Sequence, residues 1–164
     1  MRAEASADFD WWFRASYSSI ARTVFLVTKD HGHAEEITQD AFVKLLQRWS
    51  SVSSYERPDA WVRRVAIRMA VKQTKRERLG RQRERLVEVR DRPVSWPDPD
   101  VARSVGKLSP MQRAVVVLFY WDDMSVFDIA HALGVSESTV KQHLFRARAK
   151  LADLLGEEVT SDVR

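Results

Sequence analysis

Apolar positions recur at helical spacing along most of this chain, and the breaks between them divide it into two halves. Phe9, Trp12, Phe13, Ile20, Val24 and Val27 predict a first helix over Phe9 to Val27. Lys29-Asp30-His31-Gly32 interrupts it. A second helix is expected from near His33 to Trp49, with Ile37, Ala41, Leu45 and Trp49 at steps of four and Phe42 and Leu46 alongside. Its other side is polar, carrying Glu35, Glu36, Gln39, Asp40, Lys44, Gln47 and Arg48. Taken alone, that side reads as solvated surface. Ser50 to Asp59 has loop composition, with Pro58 fixing its end. A third helix follows, with Asp59 as cap and Trp61, Val62, Val65, Ala66, Met69 and Ala70 as its apolar side.

The pattern changes from Leu86 to Val101, where three prolines and mixed charge exclude a helix interior and predict a linker. Trp96 within it either docks on a neighbour or stands exposed. Beyond it, Ser109, Pro110 and Gln112 predict an N-cap, a first helical residue and a capping box. Ala114 to Trp121 is apolar almost all round, as in the central helix of a small bundle, and Asp122-Asp123 ends it. The expected fold is all-α: two small helical domains over residues 1–85 and 101–157, a linker over 86–100, and a frayed tail over 158–164.

The C-terminal half ends in two short helices around a turn. Ser125 and Asp128 have capping-box spacing, with Asp in place of Glu or Gln, and Gly134 supplies the left-handed position that closes the first helix. Ser136 caps the second, whose apolar residues Val140, Leu144, Ala147 and Leu151 share one side. Ser138, Gln142, Phe145 and Ala149 lie opposite, flanked by Lys141, Arg146 and Arg148. No acidic residue falls between Ser138 and Ala152. A helix entering the major groove needs one buried side and one side free for base edges and phosphates. The alternative is an amphipathic helix of an ordinary bundle; the glycine turn with a capped helix on each side favours a helix-turn-helix.

Charge sharpens this picture. The 164 residues carry a net charge of +4, yet Arg63 to Arg85 alone holds ten basic residues against Glu77 and Glu84. Arg64, Arg68, Lys72 and Lys75 line one face of the third helix, an arrangement better suited to phosphates than to solubility alone. There is no cysteine, which removes disulfides and thiolate metal sites. No signal-peptide pattern opens the chain and no apolar run is long enough for a bilayer, so no membrane insertion and a cytoplasmic location are expected. Catalytic patterns are also lacking: the five glycines do not cluster, and His31-x-His33 has no evident third ligand and reads as a surface turn. His131 and His143 have no paired acid at nucleophile-activating spacing. Neither metal, cofactor nor enzymatic activity is expected.

With both halves laid out, the chain resembles the extracytoplasmic-function (ECF) class of bacterial sigma factors, over roughly Phe9 to Leu155. HAEEITQDAFVKLLQRW is similar to the family's region 2.2, AWVRRVAIRMAVKQTKR to regions 2.3–2.4, and LSPMQRAVVVLFYWDDMSVFDIAHALGVSESTVKQHLFRARAKL to region 4. The resemblance implies a transcription initiation factor that binds core RNA polymerase and directs it to promoters. Glu36, Gln39, Asp40 and Arg48 would dock on the β′ clamp, and region 4 would meet the β flap. Ser53, Ser54, Tyr55 and Arg57 would capture a flipped base of the −10 element, with Trp61, Arg64, Arg68, Lys72, Lys75 and Arg76 along the melting strand. Ser136, Ser138, Thr139, Lys141, Gln142, Phe145, Arg146 and Arg148 would read the −35 element. Promoter DNA and core polymerase are the implied partners, an anti-sigma protein a further candidate.

Two departures from the family pattern stand out. Arg68 occupies a position where many members have Asn, and Glu137-Ser138 and Gln142 differ from the usual recognition helix, so the −35 preference does not carry over. The competing reading is a helix-turn-helix regulator that binds duplex DNA without polymerase; a nucleic-acid enzyme is a third class.

Overall fold

The computed structural model describes residues 2–79 and 99–155, all of whose regular structure is helical. The linker expected over 86–100 falls outside the described residues up to Asp98, as do Trp96 and the tail.

The first half contains α1 (Arg2–Thr28), α2 (His31–Gln47), α3 (Trp49–Val52) and α4 (Pro58–Leu79). Ile20, Val24 and Val27 of α1 are buried against Ile37, Ala41 and Leu45 of α2 and Val62, Ala66 and Ala70 of α4, one apolar stripe from each helix. Phe9, Phe13, Tyr17 and Phe42 extend this core as an aromatic row, with Phe13 and Phe42 meeting edge to face at 5.0 Å.

Several boundaries differ from the sequence reading. The break after α1 is only Lys29-Asp30: Lys29 takes a left-handed φ of 63°, and the Asp30 carboxylate accepts the His33 N–H, so α2 starts at His31. The turn needs no glycine because the aspartate caps the next helix. Trp49 does not end α2; it opens the short α3, where Trp49 and Val52 are both buried. Two apolar anchors fold the first part of the expected loop back onto the core. Asp59 lies inside the first turn of α4 rather than capping it, because its carboxylate is engaged by Arg57 at 2.7 and 3.0 Å. The buried side of α4 also includes Ile67 and Val71, while Trp61, Val65 and Met69 are half-buried.

The second half contains α5 (Pro99–Gly106), α6 (Pro110–Tyr120), α7 (Val126–Leu133) and α8 (Glu137–Leu155). The capping box is present: Ser109 Oγ accepts the Gln112 N–H, and Gln112 Oε1 accepts the Ser109 N–H. Val115 to Leu118 are buried, but Tyr120 and Trp121 emerge into solvent, so the all-round apolar helix is central for only part of its length. Ser125 accepts the Asp128 N–H, as expected. The shorter Asp128 carboxylate accepts a hydrogen bond from the Ser125 hydroxyl at 2.7 Å, in place of the backbone contact a Glu would reach for. Gly134 adopts φ 68° and ends α7. The buried side chains of both halves belong to one continuous apolar cluster.

Candidate nucleic-acid interface

Helix α8 owes its mounting to the four residues that the sequence placed on one side. Val140, Leu144 and Ala147 are buried and Leu151 is half-buried, holding the helix against α6 and α7. Ser136 fixes the start by accepting the Thr139 N–H at 3.1 Å, and its hydroxyl lies within hydrogen-bond distance of both Ser138 and Thr139. Ser138, Lys141, Gln142, Phe145 and Arg146 are exposed together on the free side, Phe145 at 74%. A ring this exposed on a helix otherwise lined with cations and amides can meet a thymine methyl or sugar. Arg148 departs from the group. Its Nε donates to Tyr120 Oη at 2.7 Å, and its guanidinium lies 5.5 Å from the centroid of Phe119. The aromatic end of α6 therefore holds Arg148 at the edge of the free face.

The cations of α4 have a different setting. Lys72, Lys75 and Arg76 are exposed, Arg64 is half-buried, and Arg68 reaches across to the second half of the molecule. Its Nε donates to the Ala132 carbonyl at 2.5 Å and its Nη2 to the His131 carbonyl at 2.9 Å. These are among the last carbonyls of α7, which lack helical partners and attract positive charge. Lys75 lies near His143 of α8. Burial, followed by Arg146 and Lys75, holds the His143 pKa below its usual value.

Ahead of α4, Ser53, Ser54, Tyr55 and Arg57 form an exposed loop anchored by buried Val52. Ser54 Oγ donates to the Ser51 carbonyl at 2.7 Å, and Tyr55 presents its ring with 51% exposure. Arg57 is not free to choose its direction: the two-pronged contact with Asp59 raises its pKa and lowers that of Asp59. Trp61, half-buried, packs where the loop joins the core.

The outer side of α2 carries Glu36, Gln39 and Asp40, all exposed, whereas Arg48, expected on the same helix face, is the exposed turn residue between α2 and α3. Burial raises the Tyr17 pKa, and the nearby Gln39 side chain offsets part of that rise. Two apolar residues share this side. Val43 and Leu46 are exposed, Leu46 at 56%, although the sequence reading set Leu46 beside the core. Leu45 fills the inward position and turns its neighbour out. Their signal was legible as the pair of aliphatic side chains within a polar stripe, a composition suited to a protein partner. Between α2 and α4, Glu36 and Asp40 face Lys72 and Arg76 across a cavity of about 490 Å³.

The histidines near the start of α2 take separate partners. His31 stacks on Phe25 at 4.2 Å, and His33 Nδ1 lies 3.0 Å from Glu77 Oε1. No group of three His, Asp or Glu residues capable of holding a metal occurs among the described residues, and no described helix is long and apolar enough to cross a membrane.

Comparison with known proteins fits the two-part geometry. Residues 12–79 match the family described as Sigma-70 region 2, and residues 100–151 match Sigma-70, region 4. An RNA polymerase sigma-E factor of Streptomyces avermitilis is 31% identical over 152 residues, covering 90% of this chain and 85% of the relative. The ECF RNA polymerase sigma factor SigM of Mycobacterium tuberculosis is 30% identical, covering 90% and 77%. The fold matches that of the sigma factor RpoE from Bartonella quintana, solved with the anti-sigma factor NepR, with a TM-score of 0.73 and 22% identity over 92% of this chain and 98% of that one. It also matches CnrH, solved with the cytosolic domain of CnrY, with a TM-score of 0.62 and 24% identity over 95% of each chain. The chain therefore belongs to the ECF class of RNA polymerase sigma factors and is a transcription initiation factor.

Proposed function

We propose that the two helical domains, over residues 1–85 and 101–157, divide a promoter between them while core RNA polymerase holds both. The mounting of α8 carries this reading: its apolar side is buried and its cationic side is free, the geometry a major-groove helix requires. Ser138, Lys141, Gln142, Phe145 and Arg146 contact the −35 element, with Thr139 and Arg148 at the margins and Ser136 serving the cap. Tyr55 stacks on an extruded −10 base, Ser53 and Ser54 offer polar groups to its edge, and Arg57 stands beside it. Trp61, Arg64, Arg68, Lys72, Lys75 and Arg76 follow the separated strand.

The exposed side of α2 docks on the polymerase β′ clamp through Glu36, Gln39, Asp40 and Arg48, with Val43 and Leu46 as apolar anchors. The C-terminal domain meets the β flap. Each DNA contact set is weak alone, and polymerase raises the effective concentration of one for the other. The reading assigns the protein a cytoplasmic location and no turnover of its own. The sigma factor RpoE of the similar structure is bound by the anti-sigma factor NepR, which supports such a partner for this chain.

The test is a pull-down with core RNA polymerase followed by run-off transcription on pooled promoters. Stable binding and initiation at a shared two-part motif are expected. Gln39→Lys with Asp40→Lys should abolish polymerase binding, and Arg64→Ala with Lys72→Ala should abolish promoter-specific transcripts while polymerase binding persists. Duplex binding without affinity for polymerase would replace this reading with that of an independent regulator.

A further inference from the structure

The cationic face of α4 already has an occupant, the chain's own helix-turn-helix. Arg68 is hydrogen-bonded to the carbonyls of His131 and Ala132. Beside it, Val71 of α4, Met111 of α6 and Leu133 of α7 line a cavity of about 400 Å³ rimmed by Lys72, Lys75 and Arg76. The two halves are locked further in by Asp122, whose side chain is only 4% exposed. Asp122 Oδ1 accepts from Arg63 Nη1 of α4 at 2.5 Å and from Thr23 Oγ1 of α1 at 2.9 Å. Arg63 Nη2 in turn donates to Ser19 Oγ at 3.2 Å. A third bridge runs from Lys29 Nζ to the Gly106 carbonyl at 2.7 Å.

The same junction contains contacts that oppose closure. Asp122 Oδ2 is buried and accepts no hydrogen bond from any described residue. Lys29 shares the Gly106 carbonyl with Arg113, a buried residue whose pKa burial lowers to about 10. Closure thus sets two like charges on one oxygen, and the Lys29 pKa falls through burial and through Arg113. Such a junction is specific in geometry without being heavily favoured in energy, since buried ion pairs and unsatisfied groups offset much of the gain from contact.

We propose that Asp122, with Arg63 and Thr23, is an intramolecular latch that holds the helix-turn-helix on Arg68 of α4 and competes with the single-stranded promoter DNA for that residue. Asp122 is a positioning residue: it touches no DNA and acts by keeping Arg68 on α7. Opening the latch frees Arg68 for phosphate. Closed and strand-bound forms are therefore mutually exclusive at this residue. The proposal rests on the −10 role given to α4 above.

The test uses the full chain, which lacks cysteine and so accepts spin labels at Ala15→Cys and Asp153→Cys, both exposed helical positions. Distances between the labels are measured by pulsed electron resonance, and affinity for a random-sequence single-stranded DNA is measured without polymerase. The wild type should give a dominant short distance with a minor longer one, and weak binding. Asp122→Asn should add a longer population and, if four-fifths of the wild type is closed, tighten DNA binding about fivefold. Thr23→Val, which removes one donor and leaves the ion pair, should shift both readings in the same direction by less. An unchanged distance in both folded variants would overturn the latch, as would opening without tighter binding. Run-off transcription by the wild type with core polymerase reads the initiation proposal separately, since neither latch measurement contains polymerase.

Discussion

Helices α4 and α8 carry similar cationic stripes, yet one is partly occupied and the other free. On α8, Lys141, Gln142, Phe145 and Arg146 meet solvent together. On α4, Arg68 is bound to the end of α7, while Lys72, Lys75 and Arg76 stay exposed beside it. The difference lies in what each helix packs against. Helix α8 turns its apolar side inward to α6 and α7 and leaves the rest open. Helix α4 packs on α1 and α2 of its own half and also on α6 and α7 of the other. A basic stripe is therefore an available binding surface only where no other element of the chain has claimed it.

The comparison breaks most directly at the mounting of α8. Leu144→Ala removes a side chain 3% exposed, and core truncations of this kind cost about 2–5 kcal/mol. Chemical denaturation followed by circular dichroism should show that loss, and −35 binding should fall while the α2 face still engages polymerase. Gly134→Ala acts through the backbone alone: a Cβ there meets nothing within 4 Å, but φ 68° disfavours it by roughly 1–2 kcal/mol, measurable as a lower denaturation midpoint. Ser136→Ala should cost about 1 kcal/mol as a lost N-cap and leave −35 discrimination intact, whereas Gln142→Ala should alter discrimination at normal stability.

Salt dependence then sharpens the contrast between the two stripes. Removing Lys141 should reduce the slope of log affinity against log salt by about 1 on duplex DNA. Lys75→Ala should reduce it by less in the free protein, because the neighbouring α8 restricts the approach of duplex to Lys75. The smallest effect is one of pH. The folded-state pKa of His143 lies below its ordinary value of 6.5, so the unfolded chain takes up its proton first as pH falls. Its contribution is fully present above about pH 6.5 and is lost as pH falls through the folded-state value. Thermal midpoints across mildly acidic pH should decline for the wild type and flatten for His143→Gln.

Much of this was legible locally. The Ser109 box, the Ser125 cap, the Gly134 turn and the buried row Val140, Leu144 and Ala147 are set by residues within four positions of one another, where backbone hydrogen bonding and helical periodicity decide the outcome. The exposed α8 face followed from that row. Leu46 was misplaced because periodicity defines a stripe but not its edge, and the edge is drawn by where α1 and α4 sit. The helix at Trp49–Val52 was missed because serines dominate its composition, while two buried side chains determine its shape.

By itself the sequence determined most of the helices, the caps at Ser109, Ser125 and Gly134, the concentration of basic residues from Arg63 to Arg85 and the membership of a sigma-factor family, since these depend on short-range pattern and residue type. Only the tertiary structure decided which cations are free. Arg68 meets α7 across sixty-four residues of chain, Arg63 meets Asp122 across fifty-nine, and Arg148 turns to Tyr120 across twenty-eight. Contacts at such separations have no period to read. They form because burial of the shared apolar core brings the helices together, and the polar side chains then pair with whatever that packing sets beside them.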